Sequence, residues 1–214
     1  MAKAEDDPAK IASVLLVTEG LNKETIGDYL GSYKEKNKNV LRAYCQLLDF
    51  RNLEFDHALR LLLSRFKLPG EAQQIERIVN IFAVVYHADN PRVFPDEDTP
   101  FILAYSLLML NTDAHSSMVP QKNKMTKQQF IENNIKVSKT LTREYLGRMY
   151  DRITKQKFET KADYIETIYN RLHEGNLDIQ GVSVRNDRRC LEIINTIFLV
   201  EESFGISKGI NGRS

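Results

Sequence analysis

Phe66-Lys67-Leu68-Pro69-Gly70-Glu71-Ala72-Gln73-Gln74-Ile75-Glu76-Arg77 separates two helical halves of the chain and decides how the rest is read. Residues 67–70 break the pattern, because Pro lacks an N–H and Gly tolerates unusual backbone angles. A new helix is expected to open at Glu71, with Ala72, Ile75, Ile78, Val79, Phe82 and Val85 on its apolar face. Upstream, Ile26, Tyr29 and Leu30 mark a short helix. Val40, Leu41, Tyr44, Leu47 and Leu48 mark a second, and Phe55, Ala58, Leu59, Leu62, Leu63 and Phe66 a third. Downstream, Asp98, Thr99 and Pro100 read as a cap plus first-turn proline ahead of residues 101–110, which are apolar on almost every face. Thr126 and Gln129 form a T-x-x-Q capping box, and Tyr145, Leu146, Met149, Tyr150 and Ile153 give a further amphipathic helix. With ten Gly and six Pro in 214 residues and helical spacing throughout, the expected class is all-α.

Beyond a charged joint at residues 155–161, Tyr164, Ile165, Ile168, Tyr169 and Leu172 suggest one more helix. Residues 191–200 fit strand or helix, because Ile193, Ile194, Thr196, Ile197 and Val200 are β-branched. The last ten residues read as a flexible tail. Apolar residues make up 42% and charged residues 28% of the chain, a globular balance. The net charge of +1 provides no global field for nucleic acid, so any basic surface is local. Cys45 and Cys190 form no C-x-x-C pair, which points to a reduced, cytosolic setting. The polar start MAKAEDDPAK has no signal-peptide core, and no apolar run approaches the roughly 20 residues that span a bilayer, so membrane contact is expected to be peripheral.

The familiar catalytic patterns are missing. There is no GxxxxGK[ST] phosphate loop, no H-E-x-x-H and no G-x-S-x-G elbow, and His57, His87, His115 and His173 are isolated in sequence. A metabolic enzyme is not indicated. A carboxylate just after Pro-Gly at a helix start projects from a stiff tip, and the helix dipole favours its ionised form. Glu71 is therefore either a merely favourable first-turn acid or a rigid negative probe.

Two stretches choose between these. Residues 66–77 resemble FRLPGEAQKIDR, and residues 98–126, through Met109-Leu110-Asn111-Thr112-Asp113 and Asn123-Lys124-Met125-Thr126, resemble DTAYVLAYSIIMLNTDLH followed by NKMTKEDFIRNN. Both are motifs of the Sec-7 domain family. The likeness extends to Glu19-Gly20-Leu21-Asn22-Lys23 and Ile26-Gly27-Asp28-Tyr29-Leu30-Gly31, so it covers about residues 7–159.

The resemblance implies a right-handed superhelix of about ten short helices with an apolar groove in its C-terminal half. The expected exchange domain is residues 1–159, divided into an N-terminal layer at about 6–66 and a catalytic half at about 67–159. Residues 160–214 form an extension of unknown function. It also implies guanine-nucleotide exchange on an Arf-family small GTPase, with Glu71 as the glutamic finger that displaces magnesium and the β-phosphate. The chain itself would need no cofactor, since GDP, GTP and magnesium belong to the partner.

The implied GTPase-binding residues are Asp98, Tyr105, Met109, Asn111, Lys122, Lys124, Met125 and Asn134. Tyr105, Ser106, Asp113 and Met125 match the residue types that accompany brefeldin A sensitivity in the family. Recruitment from the cytoplasm to Golgi, endosomal or plasma membrane would follow. From the residues alone, 101–110 could be just a core helix, and Lys122 and Lys124 solvated loop charges.

The chain departs from the family pattern in four places. The first family helix has no counterpart before Asp6. Ala114 and Ser116 replace the Leu and Asn of the family's LHN motif, and the loop after Asn134 is shortened to residues 135–141. Residues 160–214 match no flank of the family. These departures leave a second reading open, a helical adaptor that binds an Arf GTPase without efficient exchange.

Overall fold

The computed structural model describes residues 7–138 and 140–160, together with the backbone of residues 178–179 and 182–183. The chain divides into two compact units, Met1–Ala162 and Asp163–Ser214. Among the described residues the first unit holds eight α-helices: α1 (Pro8–Val17), α2 (Lys23–Leu30), α3 (Glu35–Leu48), α4 (Phe55–Leu63), α5 (Ala72–Asp89), α6 (Asp98–His115), α7 (Lys127–Ile135) and α8 (Arg143–Lys155). A 3-10 turn occupies Gln121–Asn123. The all-helical expectation holds for this unit. In the second unit, β1 (Asp178–Ile179) and β2 (Val182–Ser183) pair antiparallel, Asp178 opposite Ser183 and Ile179 opposite Val182. The helix expected over residues 164–172 and the strand or helix over 191–200 lie outside the described residues.

Short side-chain caps start several of the helices. Asp7 accepts the Ala9 N–H at 3.0 Å ahead of Pro8, giving α1, a helix not anticipated from apolar spacing. Asn22 accepts from Glu24 and Thr25 at the start of α2. The Thr126–Gln129 capping box is present as expected, and Thr142 caps α8. One cap differs from expectation. Asp98 lies inside α6, and the carboxylate that accepts the Thr99 N–H, at 2.7 Å, belongs to Asp96.

α1 and α2 pack on α3, α3 on α5, and α5 on α6, which also meets α4, α7 and α8. The centre is aromatic: Phe55 stands edge-on to Tyr86 and Phe94 with centroids 4.9 and 5.2 Å away, and Phe50 edge-on to Phe82 at 5.2 Å. Beside them Asp56, fully buried, accepts two hydrogen bonds of 2.7 Å from the Arg152 guanidinium. This bidentate pair joins α4 to α8 across 96 positions of sequence.

Candidate functional site

The turn before α5 is built against α2. The Lys67 N–H donates to the Lys23 carbonyl at 3.1 Å, and the Lys67 ammonium pairs with Glu24 at 2.6 Å. The approach is closest at Gly27 of α2 and at its C-cap, Gly31. A Cβ on Gly27 would fall 2.0 Å from the Lys67 carbonyl oxygen, and one on Gly31 would fall 2.9 Å from the Gln74 Cβ and 3.3 Å from the Pro69 Cγ. Only glycine lets the turn lie this close to the helix. Arg77 completes the anchoring, its Nε donating to the Gly31 carbonyl at 2.7 Å.

From this base Glu71 projects outward. It is exposed, with extended backbone (φ −87°, ψ 125°), and its carbonyl accepts the N–H groups of Gln74 and Ile75, so it is the N-cap of α5 rather than its first helical residue. The side chain makes no capping bond. A cap position that Ser, Thr, Asp or Asn ordinarily fills thus holds a longer, exposed acid. Gly70 plays a different part from the one expected of it. Its φ is not positive, and a Cβ there would meet nothing within 4 Å, so the tip is open rather than conformationally strained.

α6 supplies the second surface. Leu103, Ala104, Leu107 and Leu110 are buried, while Ile102 and Met109 are 42% and 63% exposed. Ile102, Met109 and Asp113, with the adjacent pair Tyr105 and Ser106 three and four positions after Ile102, lie on a single stripe of α6. Residues 101–110 are thus core on one side and surface on the other. Between α5 and α6 lies a pocket of about 420 Å3 lined by Gln73, Glu76, Arg77 and Asn80 of α5 and Phe101 of α6. In this pocket α6 contributes the Phe101 ring and α5 the polar side chains. Of the apolar residues read from the α5 spacing, Ile78, Val79, Phe82 and Val85 are buried, Ile75 is half-buried and Ala72 is exposed beside Gln73, Glu76 and Asn80.

The loop after α6 is tied down by the residues expected to bind a partner. Asp113 accepts the Met125 N–H at 2.7 Å, and the Tyr150 hydroxyl donates to the Met125 carbonyl at 2.8 Å. The Lys124 ammonium donates to the Ala114 carbonyl at 2.6 Å, at the negative end of α6. Asn111 is half-buried and accepts the Phe158 N–H at 2.8 Å. Asn134, 3% exposed, donates to the Phe130 carbonyl within α7. Its side chain thus serves the helix it belongs to. Asp98 and Lys122 are exposed, and Tyr105 stacks edge-on to Phe101 at 5.2 Å. The structure thus gathers Tyr105, Ser106 and Met109 on one stripe and links Asp113 to Met125.

Glu54, Asp56 and His57 form a three-donor cluster, the sole such group among the described residues. Both Asp56 oxygens accept from Arg152, and Glu54 pairs with Arg152 and Arg148, so arginine occupies the place a cation would take. No helix among the described residues is long and apolar enough to cross a membrane.

Three comparisons bear on this arrangement. The chain is 47% identical over 163 residues to brefeldin A-inhibited guanine nucleotide-exchange protein 2 of Arabidopsis thaliana, covering 75% of this chain and 9% of that protein. It is 35% identical over 213 residues to the ADP-ribosylation factor guanine nucleotide-exchange factor SEC7 of Saccharomyces cerevisiae, covering 98% of this chain and 10% of that one, so the second match runs through residues 160–214 as well. The chain therefore spans about a tenth of the length of these relatives. A solved complex of ARF1-GDP with a Sec7 domain and brefeldin A superposes with a TM-score of 0.65 at 38% identity, covering 74% of this chain and 80% of that chain. The family model of the Sec7 domain matches residues 1–158, the stretch that contains the α2-braced turn, Glu71 and the α6 stripe, and the chain belongs to the Sec7 domain family.

Proposed function

We propose that this chain is a guanine-nucleotide exchange factor that expels GDP from an Arf-family small GTPase by inserting Glu71 into the nucleotide site. The observation that carries the reading is an exposed carboxylate, without a capping bond, on a turn braced against α2. Two like charges about 4 Å apart in an effective dielectric of about 20 repel by roughly 4 kcal/mol. Each ~1.4 kcal/mol is a factor of ten, so one carboxylate set against a β-phosphate accounts for about a thousandfold faster GDP release. The stripe of Ile102, Tyr105 and Met109 offers the apolar surface on which the GTPase docks before the carboxylate arrives. Names of the relatives support the substrate class, as does the ARF1-GDP complex with a Sec7 domain.

Exchange follows from linkage. A factor that binds the nucleotide-free GTPase best weakens nucleotide binding by the reciprocal amount. The chain brings no cofactor of its own to this step, magnesium and nucleotide being the partner's. Brefeldin A sensitivity belongs to the same reading through Tyr105, Ser106, Asp113 and Met125, as does recruitment from the cytoplasm to a Golgi, endosomal or plasma membrane surface.

One observation favours the adaptor reading instead. Ala114 and Ser116 stand at the end of α6 where the family's Leu and Asn help the finger, and the Ala114 carbonyl is taken by Lys124. The experiment that decides is GDP release from a truncated Arf GTPase at physiological magnesium, with the wild-type chain and with Glu71→Lys. Strong stimulation lost in Glu71→Lys supports exchange, and retained binding without stimulation by either chain establishes the adaptor.

A further inference from the structure

We infer that Arg77, seated on the Gly31 carbonyl, is a positioning residue for exchange that fixes the direction in which Glu71 points. The inference rests on the exchange reading above and concerns how the carboxylate is aimed.

Glu71 makes no capping bond, so nothing in its own side chain sets its course. The backbone must do so, and a helix N-terminus is poorly suited to the task, since its first N–H groups lack intrahelical partners and its first turn frays. In α5 that fraying is countered from α2. Residues that bracket Glu71 on both sides converge on Gly31: Pro69 two positions before it, Gln74 three after it and Arg77 six after it. Pro69 and Gln74 touch where the Gly31 side chain would be, which limits how close the turn can come. Arg77 supplies the attraction that holds it there.

The bond is well placed. Gly31 is the C-cap of α2, and its carbonyl belongs to the set that a helix end leaves without a partner. A guanidinium at that end meets the negative pole of the helix dipole, and a charged N–H donor at 2.7 Å gives a stronger bond than a neutral one. Arg77 also lines the pocket between α5 and α6, across from Phe101. Misplacing a reacting group by about 1 Å costs up to a hundredfold in rate, and that sets the scale of the effect.

The test uses the whole chain with a truncated, GDP-loaded Arf GTPase. Arg77→Met keeps the length and apolar stem of the side chain but removes the donor, and Arg77→Lys keeps a charged donor. The expected result for Arg77→Met is a roughly 10- to 100-fold fall in kcat for GDP release at unchanged KM, with partial recovery in Arg77→Lys. In a Glu71→Ala background Arg77→Met should lower the residual release no further, because it acts through the carboxylate. An equal loss in both backgrounds, or unchanged kcat in Arg77→Met, overturns the inference. If Arg77→Met melts below the assay temperature, Gly31→Ala takes its place in the same cycle, since its Cβ presses on Gln74 and Pro69 from outside α5. A wild-type chain that leaves GDP release unchanged removes the exchange reading, and this inference with it, before any variant is compared.

Discussion

Glu71 occupies a position where the folded chain itself would be better served by another residue. Ser at the N-cap accepts an N–H from the first turn and typically contributes about 1 kcal/mol, whereas the Glu71 side chain caps nothing. Glu71→Ser is therefore expected to raise Tm by roughly 2–4 °C for a domain of this size while abolishing stimulated GDP release, read by paired melting and exchange assays. Asp96 shows the opposite arrangement. The Thr99 N–H and hydroxyl bind its carboxylate and hold its pKa below the usual carboxyl range. Its folded-state pKa lies below the unfolded one, so its contribution is complete above about pH 4 and is lost as pH falls through the folded value. Acid titration of Asp96→Asn against the wild-type chain should show a shallower loss of stability in the variant over that window. An identical pH slope would show that the α6 cap does not depend on the charge of Asp96.

Whole elements carry information that single residues do not. Gly→Ala inside an exposed helix ordinarily stabilises by about 0.5–1 kcal/mol. At Gly27 the sign should reverse, because the added Cβ lands 2.0 Å from the Lys67 carbonyl, a backbone atom that cannot swing aside. We expect Gly27→Ala to cost about 1–3 kcal/mol in denaturant unfolding, the usual range for overpacking. The same elements show how far sequence reading reaches. α3, α4, α6, α7 and α8 were legible because their apolar positions recur at helical spacing or open on a capping box. α1 was not: Val14 and Val17, at 56% and 72% exposed, put apolar residues on its outer face and blur the period, and the signal that locates it is Asp7 followed by Pro8. At the site, the position of Glu71 was legible from Pro69 and Gly70. The inward roles of Asn111, Lys124 and Asn134 were not, because amide and ammonium groups that satisfy backbone carbonyls or N–H groups look the same in sequence as those that await a partner. Nor did spacing reveal the polar pocket wall of Gln73, Glu76 and Asn80, which sits on the face that apolar periodicity ignores.

Across the first unit, the N-terminal helices and the C-terminal ones are joined by more than apolar contact. Asp56 and Arg152 pair inside, Arg60 donates to the carbonyls of Gln156 and Lys157 and lies over the Phe158 ring, and Phe158 in turn donates to Asn111. Arg152→Met leaves the fully buried Asp56 carboxylate without its partner and should destabilise by roughly 3–5 kcal/mol. Replacing both members, as Asp56→Leu with Arg152→Met, should recover much of that loss in urea titrations, because the larger part of it comes from the orphaned charge. Residues 7–160 should then unfold in one transition seen alike by fluorescence and circular dichroism, since the brace of α2 on the turn and the clamp of α4 on α8 meet through a shared core. The unbonded N-cap has one more consequence, for laboratory selection. A library of this domain screened only for heat survival would enrich Ser, Thr or Asp at position 71 and return well-behaved proteins without the carboxylate that the exchange reading needs, so thermal screening needs an exchange counter-screen at every round.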